Sequence, residues 1–314
     1  MKIYKGEAAE KLKLLETESI DCVVTSPPYW QLRDYEVEGQ LGLEKTLEEY
    51  LDKLVNIFDE IFRVLKEGGT CFINMGDSYA SNGSIPMKGR RGFLKGEESK
   101  SVVRKTKIRK KSKLLIPQRF AILLLERGWI LRNEIIWKKP NIMPESVGDR
   151  FTNDFEHIYF FTKSEKYYFK KQYEPYSEKT LTAFKNGIIP SSHKYLEQEK
   201  LKNRPKSRMR DVKKDWLAIA ADEGRNMRSV WEIATIGIKE GHFATYPEEL
   251  VRRLLQSGCP QDGMVLDPFL GSGTTLKVAK QLGMKGTGIE IKEEYIELAV
   301  NRINDLFTKV QIIG

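Results

Sequence analysis

Met264-Val265-Leu266-Asp267-Pro268-Phe269-Leu270-Gly271-Ser272-Gly273-Thr274-Thr275 is a short apolar run that breaks into a glycine-rich turn and resumes as helix. The helix is expected to reach Leu282, a strand to cover 286–289, and Glu290 to stand at that strand's end. Strand, glycine turn, helix, strand, acid is the order of a mononucleotide-binding half of an α/β sheet. Gly271 and Gly273 permit a tight turn and close approach of a ligand. Glu290, 17 residues beyond Gly273, is placed to accept hydrogen bonds from ribose hydroxyls, and Ile289 to lie against a purine face.

Two departures narrow the ligand. Leu276 stands where a dinucleotide fingerprint has its third glycine, and no Lys comes directly after either glycine, which excludes a phosphate-cradling loop. Asp267 at the strand end suits a cationic ligand portion better than a pyrophosphate: it faces a ligand ammonium or orders the loop that does. S-adenosylmethionine has the required parts, namely adenine, ribose, sulfonium, ammonium and carboxylate.

Near the other terminus, Ile20-Asp21-Cys22-Val23-Val24-Thr25 reads as a buried strand ended by Ser26-Pro27-Pro28-Tyr29-Trp30. The prolines remove backbone donors and force extended geometry, so carbonyls point outward without an internal partner. If strands 20–25 and 264–266 are neighbours in one parallel sheet, their carboxyl ends share a crevice. An exocyclic amine there donates to Ser26 Oγ and the Pro27 carbonyl, Tyr29 stacks on the base, and Trp30 walls the pocket or packs. No Cys lies in this corner, so amine methylation fits better than methylation at a ring carbon, which needs a covalent nucleophile. A base inside a duplex must be flipped out to reach such a site.

Charge points the same way. The chain has 314 residues and a formal charge of +9. Residues 88–113 carry a local +10 and residues 179–214 a local +8, leaving the remainder net acidic. A basic sector on an acidic body suggests nucleic acid. From the first run Arg90, Arg91, Lys107, Arg109, Lys110 and Lys111 are candidate DNA contacts; from the second, Arg204, Arg208 and Arg210; and Trp30 beside the corner. The three Cys and three His are scattered without metal-ligand or disulfide spacing, which points to a metal-free site in a reducing interior. No apolar run approaches membrane-spanning length, and Met1-Lys2-Ile3-Tyr4 lacks a signal-peptide pattern, so a cytoplasmic location is expected.

Along the chain, a strand at 2–6 is expected to lead into a helix around 7–17. Thr46 and Glu49 have capping-box spacing at the head of an amphipathic helix to Lys66. Strands follow at 70–74, 129–137 and 157–162. Helices are expected from Pro117 to Gly128, from Pro247, and over 292–307. Residues 78–113 are read as a basic DNA-contacting loop, too long for a simple connection, and 163–228, which lack clean periodicity, as an insertion or small recognition region.

The chain resembles the amino-methylating DNA methyltransferases of the circularly permuted beta arrangement, in which the catalytic motif precedes the cofactor motif. Thr25-Ser26-Pro27-Pro28-Tyr29-Trp30 resembles that family's catalytic motif, in the serine-first form commonest among cytosine-N4 enzymes; Asp267 to Thr275 resembles its cofactor motif, and Gly288-Ile289-Glu290 its ribose acid. His242-Phe243-Ala244-Thr245-Tyr246-Pro247 is similar to the segment closing over the methionine end, and Asn74 to Asp77 and Asn133 to Lys138 to strand ends lining the site. The resemblance implies a doubly wound, mostly parallel seven-stranded α/β sheet of the Rossmann-like methyltransferase class, residues 1–162 with 229–314, and S-adenosyl-L-methionine as cofactor. It implies a catalytic set of Ser26, Pro27, Pro28 and Tyr29. The implied cofactor set is Glu7, Thr25, His242, Asp267, Phe269, Gly271, Ser272, Gly273, Thr274, Ile289 and Glu290. Glu7 departs from the family, which often has Gly-Asp where this chain has Gly6-Glu7. The partners implied are double-stranded DNA and a cognate restriction endonuclease, with the chain a monomer or homodimer.

The leading expectation is cytosine-N4 methylation in a specific duplex sequence. Adenine-N6 methylation by the same geometry stays open, as do an RNA or protein amine methyltransferase and a nucleic-acid-binding protein that keeps only the cofactor fold.

Overall fold

The structure, a computed structural model, describes residues 1–32, 34–35, 37–80, 84–86, 101–103, 106–185, 224–236, 246–304 and 310–314, with backbone alone at 84–86, 101–103 and 183–185. The chain divides into two compact units, residues 1–170 with 229–314, and residues 171–228. Residues 163–170, expected in the recognition region, belong to the larger unit.

The larger unit is built on one sheet. Its strands are β1 (Lys2–Lys5), β2 (Ile20–Thr25), β3 (Leu65–Met75), β4 (Ile130–Lys138), β5 (Phe155–Thr162), β6 (Val230–Glu232), β7 (Met264–Asp267), β8 (Lys285–Glu290) and β9 (Gln311–Ile313). Their order is β6-β4-β5-β3-β2-β7-β8-β1-β9. Within this sheet, among the described residues, only β5 runs antiparallel to its neighbours, β3 and β4. The described residues therefore place nine strands in this sheet where seven were expected. The additions are the three-residue edges β6 and β9, too short to show alternation in the sequence.

β2 and β7 are direct parallel neighbours, with Cys22 opposite Val265 and Val23 opposite Leu266. This register brings Ser26 and Pro268 to the same edge of the sheet, as the sequence anticipates. Both strands are buried almost throughout, as parallel strands covered by helices on two faces must be. Alternate residues of β3 show the two faces. Cys71 and Ile73 join the core beneath α2 (Leu47–Val64) and α3 (Ile116–Glu126), while Thr70 Oγ1 donates to the carbonyl of Gly258 at the end of α5 (Glu248–Gly258), 2.8 Å away.

α2 starts where the sequence says. Thr46 accepts from Glu49 N, and the Glu49 carboxylate returns to the Thr46 amide, a complete capping box that contributes about 1 kcal/mol. Its buried face includes Tyr50, Leu54, Phe58 and Ile61. It ends at Val64 and the chain turns straight into β3, four residues before the glycines expected to stop it.

The expected helix over 7–17 is shorter. α1 (Ala8–Lys11) is one turn, followed by a 3-10 turn at Leu12–Leu14. The Arg63 guanidinium takes the Leu12 carbonyl at 2.9 Å and the Leu15 carbonyl at 3.0 Å, satisfying acceptors that a continuing helix would have used.

In the smaller unit, Tyr173–Glu174 pairs antiparallel with Arg225–Asn226, α4 spans Glu178–Lys185, and Glu174 is ion-paired with Arg225 and Arg228. The remaining helices of the larger unit are α6 (Thr274–Gln281) and α7 (Glu293–Ile303). Among the described residues no helix is long and apolar enough to cross a membrane. Cys22, Cys71 and Cys259 are all buried and unbridged.

Candidate active site

The carboxyl ends of β1, β2, β3, β7 and β8 open into one cleft of about 1040 Å³, which Ser26, Pro27, Pro28 and Tyr29 line together with Phe269, Gly271, Ser272, Ile289 and Glu290. Two motifs more than 230 residues apart thus face one cavity.

The proline corner is held from several sides. Tyr50 of α2 donates its hydroxyl to the Pro28 carbonyl at 2.9 Å. The Trp30 indole and the Gln31 amide both donate to the Glu44 carbonyl, at 3.0 and 2.9 Å. Trp30 is 1% exposed. It is therefore a core anchor of the corner, and its assignment as a DNA contact is corrected: no face of the indole is left for a nucleic acid.

Tyr29 is tied into a polar cluster on the cleft wall. Its hydroxyl donates to Glu156 Oε2 at 2.8 Å and accepts from Asn74 Nδ2 at 3.2 Å. Asn74 Nδ2 also reaches Glu156 Oε2 at 2.7 Å and lies 3.5 Å from Ser26 Oγ. Lys139 Nζ pairs with Glu156 Oε1. Burial, and then the Glu156 carboxylate beside it, holds the Tyr29 phenol well above its ordinary range, so it stays protonated. Glu156 and Lys139 sit on the antiparallel strand and the loop before it. Nothing local in the sequence marks them; the only signal was the alternation of β5, which sends Glu156 to the face opposite His157.

At the cofactor end, Glu290 accepts from the Gly271 amide at 2.8 Å through Oε2 and from the Lys292 amide at 2.8 Å through Oε1. Burial raises its pKa. Each carboxylate oxygen keeps lone-pair capacity on the cleft side. The turn is secured from α7, where Arg302 donates to the Ser272 carbonyl at 2.7 Å, to Ser272 Oγ at 2.6 Å and to Thr274 Oγ1 at 3.2 Å. The hydroxyls of Ser272 and Thr274, expected on the ligand, are thus engaged by Arg302. Gly271 (φ +52°) leaves the cleft side open, with only the Phe269 carbonyl, 4.0 Å away, near where a Cβ would stand. Gly273 (φ +81°) does not line the cleft; a Cβ there would lie 2.7 Å from Ala299 Cβ, so its smallness serves helix packing.

Asp267 is 1% exposed and does not line the cleft. Its carboxylate accepts from Thr25 Oγ1 at 2.7 Å, Phe269 N at 3.1 Å, Tyr246 Oη at 2.9 Å and Thr275 Oγ1 at 2.7 Å. Burial raises its pKa against those four donors. Of the two roles expected for Asp267, the structure gives it the ordering of the loop. Thr25, wholly buried against it, is corrected likewise to a member of this knot behind the wall. Glu7 lines the cleft near Gly39.

His242, Arg90, Arg91, Arg204, Arg208 and Arg210 lie outside the described residues. Lys107, Arg109 and Lys110 are exposed ahead of α3, and Lys111 is ion-paired with Asp149. Among the described residues no group of His, Cys, Asp and Glu is arranged to hold a metal ion.

A family model described as DNA methylase, covering N6 and N4 enzymes, matches residues 20–301. Type II methyltransferase M.Cfr9I of Citrobacter freundii is 36% identical over 320 residues, spanning 98% of this chain and 89% of that protein. Type II methyltransferase M.SmaI of Serratia marcescens is 36% identical over 308 residues, spanning 96% and 90%. Among solved structures, the cytosine-N4-specific PvuII DNA methyltransferase superposes with a TM-score of 0.61 at 18% identity, over 98% of this chain and 87% of that one. A candidate DNA modification methylase from Thermus thermophilus, complexed with S-adenosyl-L-methionine, does so with a TM-score of 0.60 at 23% identity, over 100% and 98%. At these identities the superpositions establish a shared fold.

Proposed function

The chain belongs to the DNA methylase family of N6 and N4 enzymes, and from that premise we propose that it transfers a methyl group from S-adenosyl-L-methionine to the N4 amine of a flipped cytosine in a specific double-stranded DNA sequence. The observation that carries this reading is the shared cleft: Ser26 and Tyr29 from one terminus face Gly271 and Glu290 from the other.

The cavity fits the cofactor. Glu290 offers acceptors for the ribose hydroxyls, Ile289 and Phe269 give the lining an apolar stretch suited to adenine, and the open side of Gly271 admits close approach. Bound there, S-adenosyl-L-methionine supplies a methyl carbon activated by its sulfonium. The protein's part is positioning. Ser26 Oγ and the Pro27 carbonyl accept the two amine hydrogens, draw the nitrogen toward tetrahedral geometry and aim its lone pair. Tyr29 stacks on the base, its ring fixed by Glu156 and Asn74. One amine proton must leave as the new bond forms, and the hydrogen bond to Ser26 Oγ is its exit toward water. The serine-first motif favours cytosine as the target base.

The basic segment 78–113 and the 171–228 unit are assigned to DNA contact and target recognition, and a restriction endonuclease of the same specificity is the expected functional partner. Incubation with labelled S-adenosyl-L-methionine and DNA, then digestion and nucleoside chromatography, tests the reading. Methylcytosine labelled at N4 is expected. Label only in N6-methyladenine overturns the base assignment, and label in RNA but not DNA overturns the substrate class.

A further inference from the structure

The connection between β4 and β5, residues 139–154, springs from the cleft. Lys139 on one side of it and Glu156 on the other both line the cavity, and Lys139 N donates to the Asp154 carbonyl at 2.7 Å, closing its base. Asn141 then exchanges two hydrogen bonds of 2.8 Å with the backbone of Thr235, itself a cleft residue. Further along, the connection is fastened to Tyr79 and to the end of the basic segment. The Arg150 guanidinium stacks 3.6 Å from the Tyr79 ring centroid and pairs with Glu145 at 2.9 Å. Asn153 Oδ1 accepts from Lys113 Nζ at 2.8 Å, and Asp149 is ion-paired with Lys111. Among these anchored residues Phe151 is 98% exposed. A lone exposed apolar side chain is ordinary on a protein surface. Phe151 differs in its mounting: residues 149, 150, 153 and 154 are each held by a named partner, so the ring is presented on a fixed backbone. Ordering that backbone costs conformational entropy, and the exposed ring returns nothing for it within the chain.

Resting on the duplex-DNA reading above, though not on the choice of base, we infer that Phe151 is the wedge that enters the duplex where the target base has left it. Flipping a base by about 180° into the cleft opens a gap in the stack at the mouth of the pocket that receives it. Phe151 lies three residues from Asp154, so the chain allows at most about 11 Å between it and the bond that closes the connection beside the cleft. An aromatic ring stacks on any base, whatever the flanking sequence, and apolar wedges between base steps hold duplexes open in other DNA-binding proteins. Met143 is also exposed, at 87%, but its flexible, unbranched side chain is a poorer fit to a flat gap. The charge beside the ring suits this occupant. Residues 106–113, to which Asp149 and Asn153 are fastened, hold five Lys or Arg and no acid, and Lys107, Arg109 and Lys110 among them are exposed. An apolar tip beside a cationic shelf matches a base stack flanked by phosphates. A second copy of this chain docked there by the same surface would set like charge against like. Phe151 touches the stack and not the reacting atoms, so it is a positioning residue: it shifts the flipping equilibrium toward the base in the cleft.

The test is single-turnover methylation by the full-length enzyme of two duplexes carrying its target sequence, one fully paired and one with the target base mispaired. A mispaired base costs less to flip, so a wedge matters less there. Phe151→Ala is expected to slow methylation of the paired duplex about 10- to 100-fold and of the mispaired one by less than about threefold. Phe151→Leu, still an apolar wedge, should recover most of the paired rate. S-adenosyl-L-methionine affinity by calorimetry and the melting temperature should stay near wild type, because the ring is exposed. A Phe151→Ala enzyme that slows equally on both duplexes, or on neither, overturns the inference and leaves the methyltransferase reading standing. So does a change in the sedimentation of the free enzyme on Phe151→Ala, which would place the ring in a contact between copies. A wild type that methylates neither duplex overturns both.

Discussion

The phenol of Tyr29 donates to Glu156 Oε2 at 2.8 Å, joining the proline corner to the antiparallel strand across 127 residues of sequence. This bond fixes the ring before any base arrives. Stacking on an aromatic ring is worth about 1–3 kcal/mol per base, and most of that survives if the hydroxyl alone is removed. Tyr29→Phe is therefore expected to slow single-turnover methylation by about 10-fold or less, because Glu156 keeps Asn74 and Lys139 as partners. Tyr29→Ala removes the stacking surface and should slow it by about 100-fold. Rapid-quench measurements on the same duplex compare the two. Equal losses would mean that the ring does no stacking.

Gly76 lies under the same ring. A Cβ built there stands 2.7 Å from Tyr29 Cε2, closer than atoms tolerate, and the ring is the neighbour that must move. Gly76→Ala should displace Tyr29 from the stacking position while leaving the core intact. The expected result is at least a 10-fold drop in methylation rate with a melting temperature within a few degrees of wild type. An unaffected rate would show that the stacking plane is not set by this contact.

Asp267 makes opposing demands on stability. It has no charge partner in its knot and is buried, which alone favours a neutral residue, yet four donors converge on it. An amide cannot accept all four and brings two donors of its own. Asp267→Asn should therefore destabilise the fold by about 1–3 kcal/mol in urea unfolding. The sign of the pH dependence follows from the direction of the shift. With its folded value raised above 3.8, this carboxyl contributes stability that is complete at low pH and lost as pH rises through the raised value. Glu290, raised by burial from 4.5, acts in the same sense. The Asn variant should lack the part of this slope that belongs to Asp267. Unfolding curves that coincide with wild type at every pH would dismiss the knot.

These sites differ in how far the sequence discloses them. The glycine turn and the proline corner are written in local chemistry, since backbone freedom at Gly271 and rigidity at Pro27 and Pro28 act within a few residues. The capping box of α2 is equally local. What stays hidden is set by long-range partners. Arg302 secures the turn from 28 to 30 residues downstream, and Glu156 has no meaning until β5 is seen to lie beside β3. Trp30 illustrates the reverse error: an aromatic beside a catalytic corner invites a ligand role, but its indole nitrogen is committed to the Glu44 carbonyl. Helix 7–17 fails for the same reason, because Arg63 reaches its carbonyls from α2.

The exposed Lys107, Arg109 and Lys110 lie ahead of α3 in the basic segment. If they touch phosphates, each lost contact lowers the slope of log affinity against log salt by about 0.9. Replacing Lys107 and Lys110 together by Gln should flatten that slope by roughly 1–2 on specific and random duplexes alike. Lys111→Gln should do less, since Asp149 already neutralises that ammonium. Fluorescence anisotropy over a salt series measures it. An unchanged slope would remove this segment from the DNA-facing surface.

Ser26 offers the sharpest division between binding and chemistry. Its hydroxyl lines the cleft beside the Tyr29 phenol, and Asn74 Nδ2 reaches it only at 3.5 Å, too long to hold it firmly. The residue is therefore not needed to build the corner, which Tyr50 and Trp30 anchor from either side. What Ser26→Ala removes is the acceptor that draws an amine hydrogen as the nitrogen turns tetrahedral, an interaction that strengthens along the reaction. Losing such a contact lowers the rate of the chemical step without a matching loss of affinity. Single-turnover methylation should fall by about 10- to 1000-fold, with dissociation constants for DNA and S-adenosyl-L-methionine changed by less than about threefold. A variant that transfers methyl at the wild-type rate would show that the amine is held elsewhere; one that loses DNA affinity in proportion to rate would make Ser26 a binding residue only.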